Sequence, residues 1–385
     1  MHRNFRLKNN YYLNILIRIF FTLALVVLAL SPINAQESYL IIGTYTEAKP
    51  DKGIYVYSFN NVTGELAFVS TGENITNPSY LVLSANGKFI YACSETQMPN
   101  SGSISAFGFN NGKLSFINKV PSGGDNPAYV ALHKSGKVLV NANYSGGSAS
   151  VIRVKKDGSL ESDTTFQFTG VSITPGRQDS PHIHAAVFSP DNNFVFLTDL
   201  GSDKIWSYSI GKNQSFKRYP DGDVSTVPGS GPRHLVFHPN KKFGYCIEEL
   251  SGTVSSYSYK KGKLTSIQRI ATHDASMKGP FGSADIHISP DGKFLYASNR
   301  GKENTISIFL INQVTGLLSF IGNQSTLGNH PRNFTIDQTG KFLLVANMLS
   351  NDIIVFKRDK QTGLLTETSN KISVPKPACL YLISK

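Results

Sequence analysis

The chain has 385 residues, 40% hydrophobic and 17% charged, with 33 glycines, 18 prolines and a formal net charge of +12. That length and composition exclude a disordered chain, a collagen and a polytopic membrane protein. Gly, Tyr and Phe are abundant and Ala/Glu/Lys/Leu-rich stretches are missing, so an all-β fold of short strands and many turns is expected.

At the N-terminus, Arg3, Arg6, Lys8 and Arg18 precede any acidic residue, and residues 19–30 form an apolar run broken only by Thr22. The run is short for a membrane span. Ser31-Pro32-Ile33-Asn34-Ala35 ends it with a small residue before Gln36, which predicts a secretory signal peptide over residues 1–35. An uncleaved anchor is the alternative, because Ile33 is bulky for its place. Cleavage would leave residues 36–385 as one periplasmic or secreted domain with no stable membrane association.

Positive charge in the remainder is scattered through turns such as Asn86-Gly87-Lys88 and Asp291-Gly292-Lys293. That is a solvated rim rather than a nucleic-acid groove, and no nucleic acid is expected as a partner. Cys93, Cys246 and Cys379 cannot all pair and none lies in a CxxC setting, so no disulfide framework is expected. Cys93 and Cys246 sit in apolar runs, where Cys behaves as a small hydrophobe.

From residue 77 onward the chain repeats itself. NPSYLVLSANGKFIYACSE (77–95) returns as NPAYVALHKSGKVLVNANY (126–144), SPHIHAAVFSPDNNFVFLTDLG (180–201), GPRHLVFHPNKKFGYCIEEL (231–250), SADIHISPDGKFLYASNRG (283–301) and HPRNFTIDQTGKFLLVANM (330–348). Anchors at Pro78, Pro127, Pro181, Pro232, Ser283, Pro331 and Pro377 give a period near fifty residues. Each unit reads as a strand, a tight turn and a second strand, followed by a second hairpin such as GSISAFGFNNGKLSFI. Four antiparallel strands per fifty-residue repeat describe a propeller blade. Residues 38–69 supply strands two to four without a first, and KPACLYLIS (376–384) supplies a first strand and stops. Pairing 376–383 beside 39–45 would complete a seventh blade and remove the exposed edges of an open array. The predicted fold is thus an all-β, seven-bladed propeller closed by its two termini.

Within a blade the first two strands are antiparallel, so residues opening the first and closing the second share one end. The openings carry His182, His184, Arg233, His234 and Arg332; the closings carry Glu95, Asn143, Asp199, Glu248, Glu249, Asn299, Arg300 and Asn347. If first strands line the channel, these groups converge at one mouth. Each has a plainer role. His182 and His184 alternate by two and could ligate a metal, but no close Asp, Glu or Cys completes a set. A lone Arg after proline often ties loop carbonyls, Glu249 closes an apolar run, and Asp199-Leu200-Gly201 reads first as a turn.

The ordered pieces IGTYT (42–46), SPHIH (180–184), DLGSDKIW (199–206), GSGPRHLVFHP (229–239), EEL (248–250) and SNRG (298–301) resemble the seven-bladed lactonases, which include propeller-type bacterial 6-phosphogluconolactonases and fungal carboxy-cis,cis-muconate cyclase. The resemblance covers residues 38–384. It implies hydrolysis of a sugar lactone without metal or cofactor, and it carries an active-site quartet onto His184 (or His182), Arg233, Glu249 and Arg300. His182, His234, Asp199, Asn299, Glu95 and Arg332 are the expected substrate contacts.

Lactone opening needs a base for water, donors for the tetrahedral oxyanion and a proton for the departing ring oxygen. His182, His184 or Glu249 could be the base, and Arg can hold an anion bidentately. No GxSxG elbow occurs, so direct attack by water is favoured over a serine acyl-enzyme. Two other readings stand beside this one: a secreted, non-catalytic ligand-binding propeller, and a lactonising cyclase acting on a carboxylated, muconate-like substrate. The fifty-residue count of seven units weighs against a six-bladed, metal-dependent lactonase.

Overall fold

A short strand of alternating apolar residues is stable only when it is paired along its edges and covered on its faces. A computed structural model describes residues 37–385 apart from 47–51 and 97, and in it seven antiparallel sheets meet that demand. The predicted signal peptide lies outside the described residues.

In chain order the first strands of the blades are Leu81–Leu83, Pro127–Leu132, Ile183–Phe188, Pro232–Phe237, Ser283–Ile288, Pro331–Ile336 and Pro377–Ser384. Each touches the next around a closed ring, so together they line the central channel. The second strands follow outward: Phe89–Ser94, Val138–Asn143, Phe194–Asp199, Phe243–Glu248, Phe294–Asn299 and Phe342–Asn347, with Glu37–Thr44 serving blade seven. Six sheets have four strands. The third has five, because Phe216–Arg218 and Val224–Ser225 share the outer position against Lys204–Ile210.

The ring closes as the repeats predict. Pro377–Ser384 pairs antiparallel with Glu37–Thr44, matching Tyr39 to Ile383 and Ile42 to Leu380. Period-2 alternation then explains the core, since successive side chains of one strand serve opposite neighbours. Leu40, Ile42 and Leu380 pack against Phe342 and Leu344 of blade six, while Ile41 and Cys379 pack against Leu81 and Ile90 of blade one. Seven such apolar layers fill the seven interfaces between blades.

The turns joining first and second strands need a left-handed residue. Gly87, Gly136, Gly292 and Gly340 supply it in four blades, and Asn192 and Lys241 take the same place in blades three and four. The three cysteines are buried free thiols. No helix among the described residues is long and apolar enough to cross a membrane.

Candidate active site

At the mouth where first strands open, the strand pairing slips. In blades two, three, four and six the register passes over one residue of the first strand: Ala128, His184, Arg233 and Arg332 respectively. A bulged residue has no partner opposite and its side chain is re-aimed. Ala128, His184 and Arg332 accordingly line a cavity of about 190 Å³. The structural equivalence of Ile183 with Pro232, opposite Asp199 and Glu248, makes His184 the counterpart of Arg233.

Second strands contribute the residue just after the last paired one. Glu95, Tyr144, Glu249 and Arg300 all line the same cavity. The residue before each turns into the blade instead. Asn299 donates from Nδ2 to the Thr272 carbonyl at 3.0 Å, and its Oδ1 accepts from Ser283 and Thr272 hydroxyls at 2.6 and 2.8 Å. Asn143 and Asn347 make the same stitch to the Ser122 and Thr326 carbonyls of the preceding blades. Asp199 accepts from the backbone N–H groups of His182, Gly201 and Ser202 and from Trp206 Nε1, and it also pairs with the Ser202 hydroxyl. Asp199 and Asn299 were expected to contact substrate; the structure commits both to blade architecture, because strand parity points them away from the channel.

Glu249 is the hub of the cavity floor. Its Oε2 accepts from Arg233 Nε at 2.9 Å and lies 2.8 Å from Arg300 Nη2, and its Oε1 accepts from Arg177 Nη2 at 2.6 Å. Burial alone would raise its carboxyl, but Arg300, Arg233 and Arg177 outweigh that and hold it well below the usual carboxylate range. Glu249 is therefore a weak base and a strong anchor. Beneath it Arg233, 1% exposed, also donates Nη1 to the Ala284 carbonyl and to His234 Nε2. Burial, with Arg300 and Arg332 nearby, brings its guanidinium down to about 9, which leaves it charged at neutral pH. On the other wall Glu95 accepts from Tyr45 Oη at 2.7 Å and meets Arg332 Nη2 at 3.5 Å.

His184 has the opposite character. It is buried, and its Nδ1 has no hydrogen-bond partner. Burial, then the positive charge of Arg233 and, further down, of Arg332, push its imidazole well below its ordinary value. It is a neutral imidazole, packed edge-to-face on the Tyr144 and His234 rings, on the wall of an arginine-rich cavity. His182 instead gives Nδ1–H to the Tyr144 carbonyl at 3.0 Å and stacks on the Tyr144 ring at 4.4 Å. Both histidines pack on the Tyr144 ring, but among the described residues no three of His, Cys, Asp and Glu gather as a metal would require. His234 was also expected to contact substrate, but Asp285 and Arg233 occupy both of its ring nitrogens.

Arg177, Tyr144 and Asn126 line the cavity without having been foreseen. Arg177 comes from the connection between Leu160–Gln167 and Ile183–Phe188, where the repeat step stretches from about fifty to 54 residues between Pro127 and Pro181. That lengthening was the available signal. The loop is pinned by Gln178, whose Nε2 donates to the Leu200 carbonyl.

Arg177, Arg300 and Arg332 bring three positive charges to a cavity whose carboxylates are Glu95 and Glu249. Such an arrangement can bind an anion and stabilise a developing oxyanion, with a neutral imidazole within the same space. Residues 39–382 match the family described as "Lactonase, 7-bladed beta-propeller". A 6-phosphogluconolactonase of Formosa agariphila is 44% identical over 353 residues, 90% of this chain and 99% of that protein. The 6-phosphogluconolactonase of Bacillus subtilis is 34% identical over 89% of this chain and 97% of its own length. The solved structure of a periplasmic gluconolactonase from Pseudomonas aeruginosa superposes with a TM-score of 0.85 at 33% identity, covering 90% of this chain and 99% of that one. The chain belongs to the seven-bladed β-propeller lactonase family.

Proposed function

We propose that the protein hydrolyses an anionic sugar lactone in the Glu95/Glu249 cavity. The observation that carries this reading is the uncharged His184, whose Nδ1 has no hydrogen-bond partner, lining the same small cavity as Arg177, Arg300 and Arg332. His184 takes a proton from water as the oxygen attacks the lactone carbonyl, and returns it to the ring oxygen as the C–O bond breaks. Arg300 and Arg332 donate to the substrate anion and the oxyanion, with Arg177 closing over them from its loop. Arg233 and Glu249 hold the arginines in place. The product is an open hydroxy acid, which ionises and releases one proton.

The charged N-terminal stretch, the apolar run and Ala35 before Gln36 support export, and a periplasmic gluconolactonase is among the chain's structural relatives. In that compartment the substrate would be a lactone found outside the cytoplasm, phosphorylated or not. The test is proton release by residues 36–385 on matched phosphorylated and unphosphorylated sugar lactones, with and without EDTA. Rates above spontaneous opening, unchanged by EDTA, are expected. Binding of a lactone without turnover would replace the reading by a ligand-binding propeller, and ring closure of a carboxylated muconate would replace it by a cyclase.

A further inference from the structure

The channel-lining strand of blade five carries a carboxylate with no part in the chemistry above. Asp285 is buried. Its Oδ1 accepts from His234 Nδ1 at 2.7 Å; its Oδ2 accepts from His287 Nε2 at 2.9 Å, Asn333 Nδ2 at 2.5 Å and the Phe334 backbone N–H at 3.3 Å. Asn333 extends the tie, since its Oδ1 accepts from the Leu380 N–H at 2.7 Å. One carboxylate thereby connects the inner strands of blades four, five, six and seven.

The far side of His234 leads to the cavity floor. Its Nε2 lies 3.1 Å from Arg233 Nη1. A guanidinium only donates, so Nε2 must be the acceptor and the ring proton must sit on Nδ1, facing Asp285. Burial and then Arg233 lower the imidazole to about 4, which keeps it neutral. Arg233 in turn gives Nε to Glu249, the carboxylate that gathers Arg300 and Arg177.

We propose that Asp285 and His234 are positioning residues for the arginine cluster: Asp285 fixes the His234 tautomer that accepts from Arg233, and thereby sets the geometry of Arg233, Glu249 and Arg300 at the cavity floor. The claim rests on the lactonase reading of that cavity. It differs from a plain structural role because it depends on which ring nitrogen carries the proton.

Asp285→Asn keeps the shape and changes that one property. The three donors facing Oδ2 claim the single amide oxygen, so the new NH₂ faces His234 Nδ1. The imidazole then accepts at Nδ1 and carries its proton on Nε2, where it meets the Arg233 N–H head on. Displacing catalytic groups by about 1 Å costs roughly a hundredfold, and kcat/KM should fall by about that factor. The tautomer is read directly from ¹⁵N shifts of His234 in the full propeller. Wild type should show Nδ1 protonated and Nε2 bare at neutral pH, and Asp285→Asn the reverse.

A second pair of variants decides the matter should Asp285→Asn not fold. His234→Gln offers a carbonyl oxygen to Arg233 and should retain most activity, whereas His234→Phe offers no acceptor and should lose about a hundredfold. Wild-type His234 protonated on Nε2, or Gln and Phe variants of equal activity, would overturn the proposal. Absence of any lactonase activity in wild type would instead sink the functional reading, and the tautomer measurement would still judge the positioning claim.

Discussion

At the scale of single residues, the division of labour between His184 and Glu249 follows from charge. Both are buried, yet one is kept neutral by that burial together with neighbouring arginines and the other is kept ionised by arginines against it. The acid limb of kcat/KM should therefore fall below pH of about 6.5, the ordinary histidine value, and a limb at or above it would remove His184 as the base. The sign for stability is the same for both groups. Below about pH 6.5 the unfolded chain binds a proton at His184 that the folded chain does not, and below about 4.5 the same holds for Glu249, so stability declines as pH falls through each range. His184→Ala should cost roughly a hundred- to ten-thousandfold in kcat, as loss of a general base does. Arg300→Ala should lose about a hundred- to a thousandfold as an oxyanion or anion donor is removed, with Arg300→Lys recovering only part, because a point charge lacks the planar fork. Arg233→Ala carries an added folding penalty below the roughly 3–5 kcal/mol of a fully orphaned buried charge, since Glu249 keeps Arg300 and Arg177; urea titration separates that loss from the kinetic one. That His184, Glu249 and Arg300 meet at one cavity, with Arg233 bonded to Glu249, was legible from motif order. What was not legible was that Asp199 and Asn299 turn inward, while their neighbours in the chain, or the equivalent position in other blades, reach the cavity.

At the scale of elements, parity alone does not separate His182 from His184, which alternate by two. Simple alternation assigns sides correctly along an unbroken strand, but the openings of first strands carry a bulge, and a bulge shifts every later side chain by one. Blade three carries the same bulge as blade four, but there the strand opens two residues after Pro181, so Ile183 takes the place of Pro232 and His184, not His182, is the counterpart of Arg233. The inward residues have their own measurable role. Asn299→Ala would leave the buried Thr272 carbonyl, which also accepts from the Ser307 hydroxyl, without its amide donor, and would leave the Ser283 hydroxyl with only the Thr272 hydroxyl, 3.1 Å away, as a partner. A loss of about 1–3 kcal/mol is expected in urea denaturation, with kcat/KM nearly unchanged for the folded fraction. A large kinetic effect at full stability would return Asn299 to the substrate. Arg177 stands on a loop outside the repeat and is 42% exposed along its side chain, so its removal should weaken catalysis mainly through KM, with a smaller loss of stability than Arg233→Ala because Glu249 keeps both buried partners.

For the whole molecule, the repeat period and the split seventh blade were readable because every unit reuses the same apolar alternation, and the closing pairs of Tyr39 with Ile383 and Ile42 with Leu380 follow from that pattern. Deleting residues 376–385 should unfold the ring as a unit: blades six and one both lose packing against Leu380 and Cys379, and the Glu37–Thr44 strand gains a bare edge. A single, strongly shifted melting transition would fit; loss confined to one blade would not. The ring also explains how a distant sequence set becomes one pocket, since six blades each aim one to three residues at the same mouth. Its central claim, lactone hydrolysis by water activated at His184 under an arginine cluster, is tested most directly by pH-stat proton release on a sugar-lactone panel with wild type, His184→Ala and Arg300→Ala in parallel. The account predicts enzyme-dependent hydrolysis of at least one anionic lactone by wild type and a fall of at least about a hundredfold in both variants. Folded variants as active as wild type would contradict it.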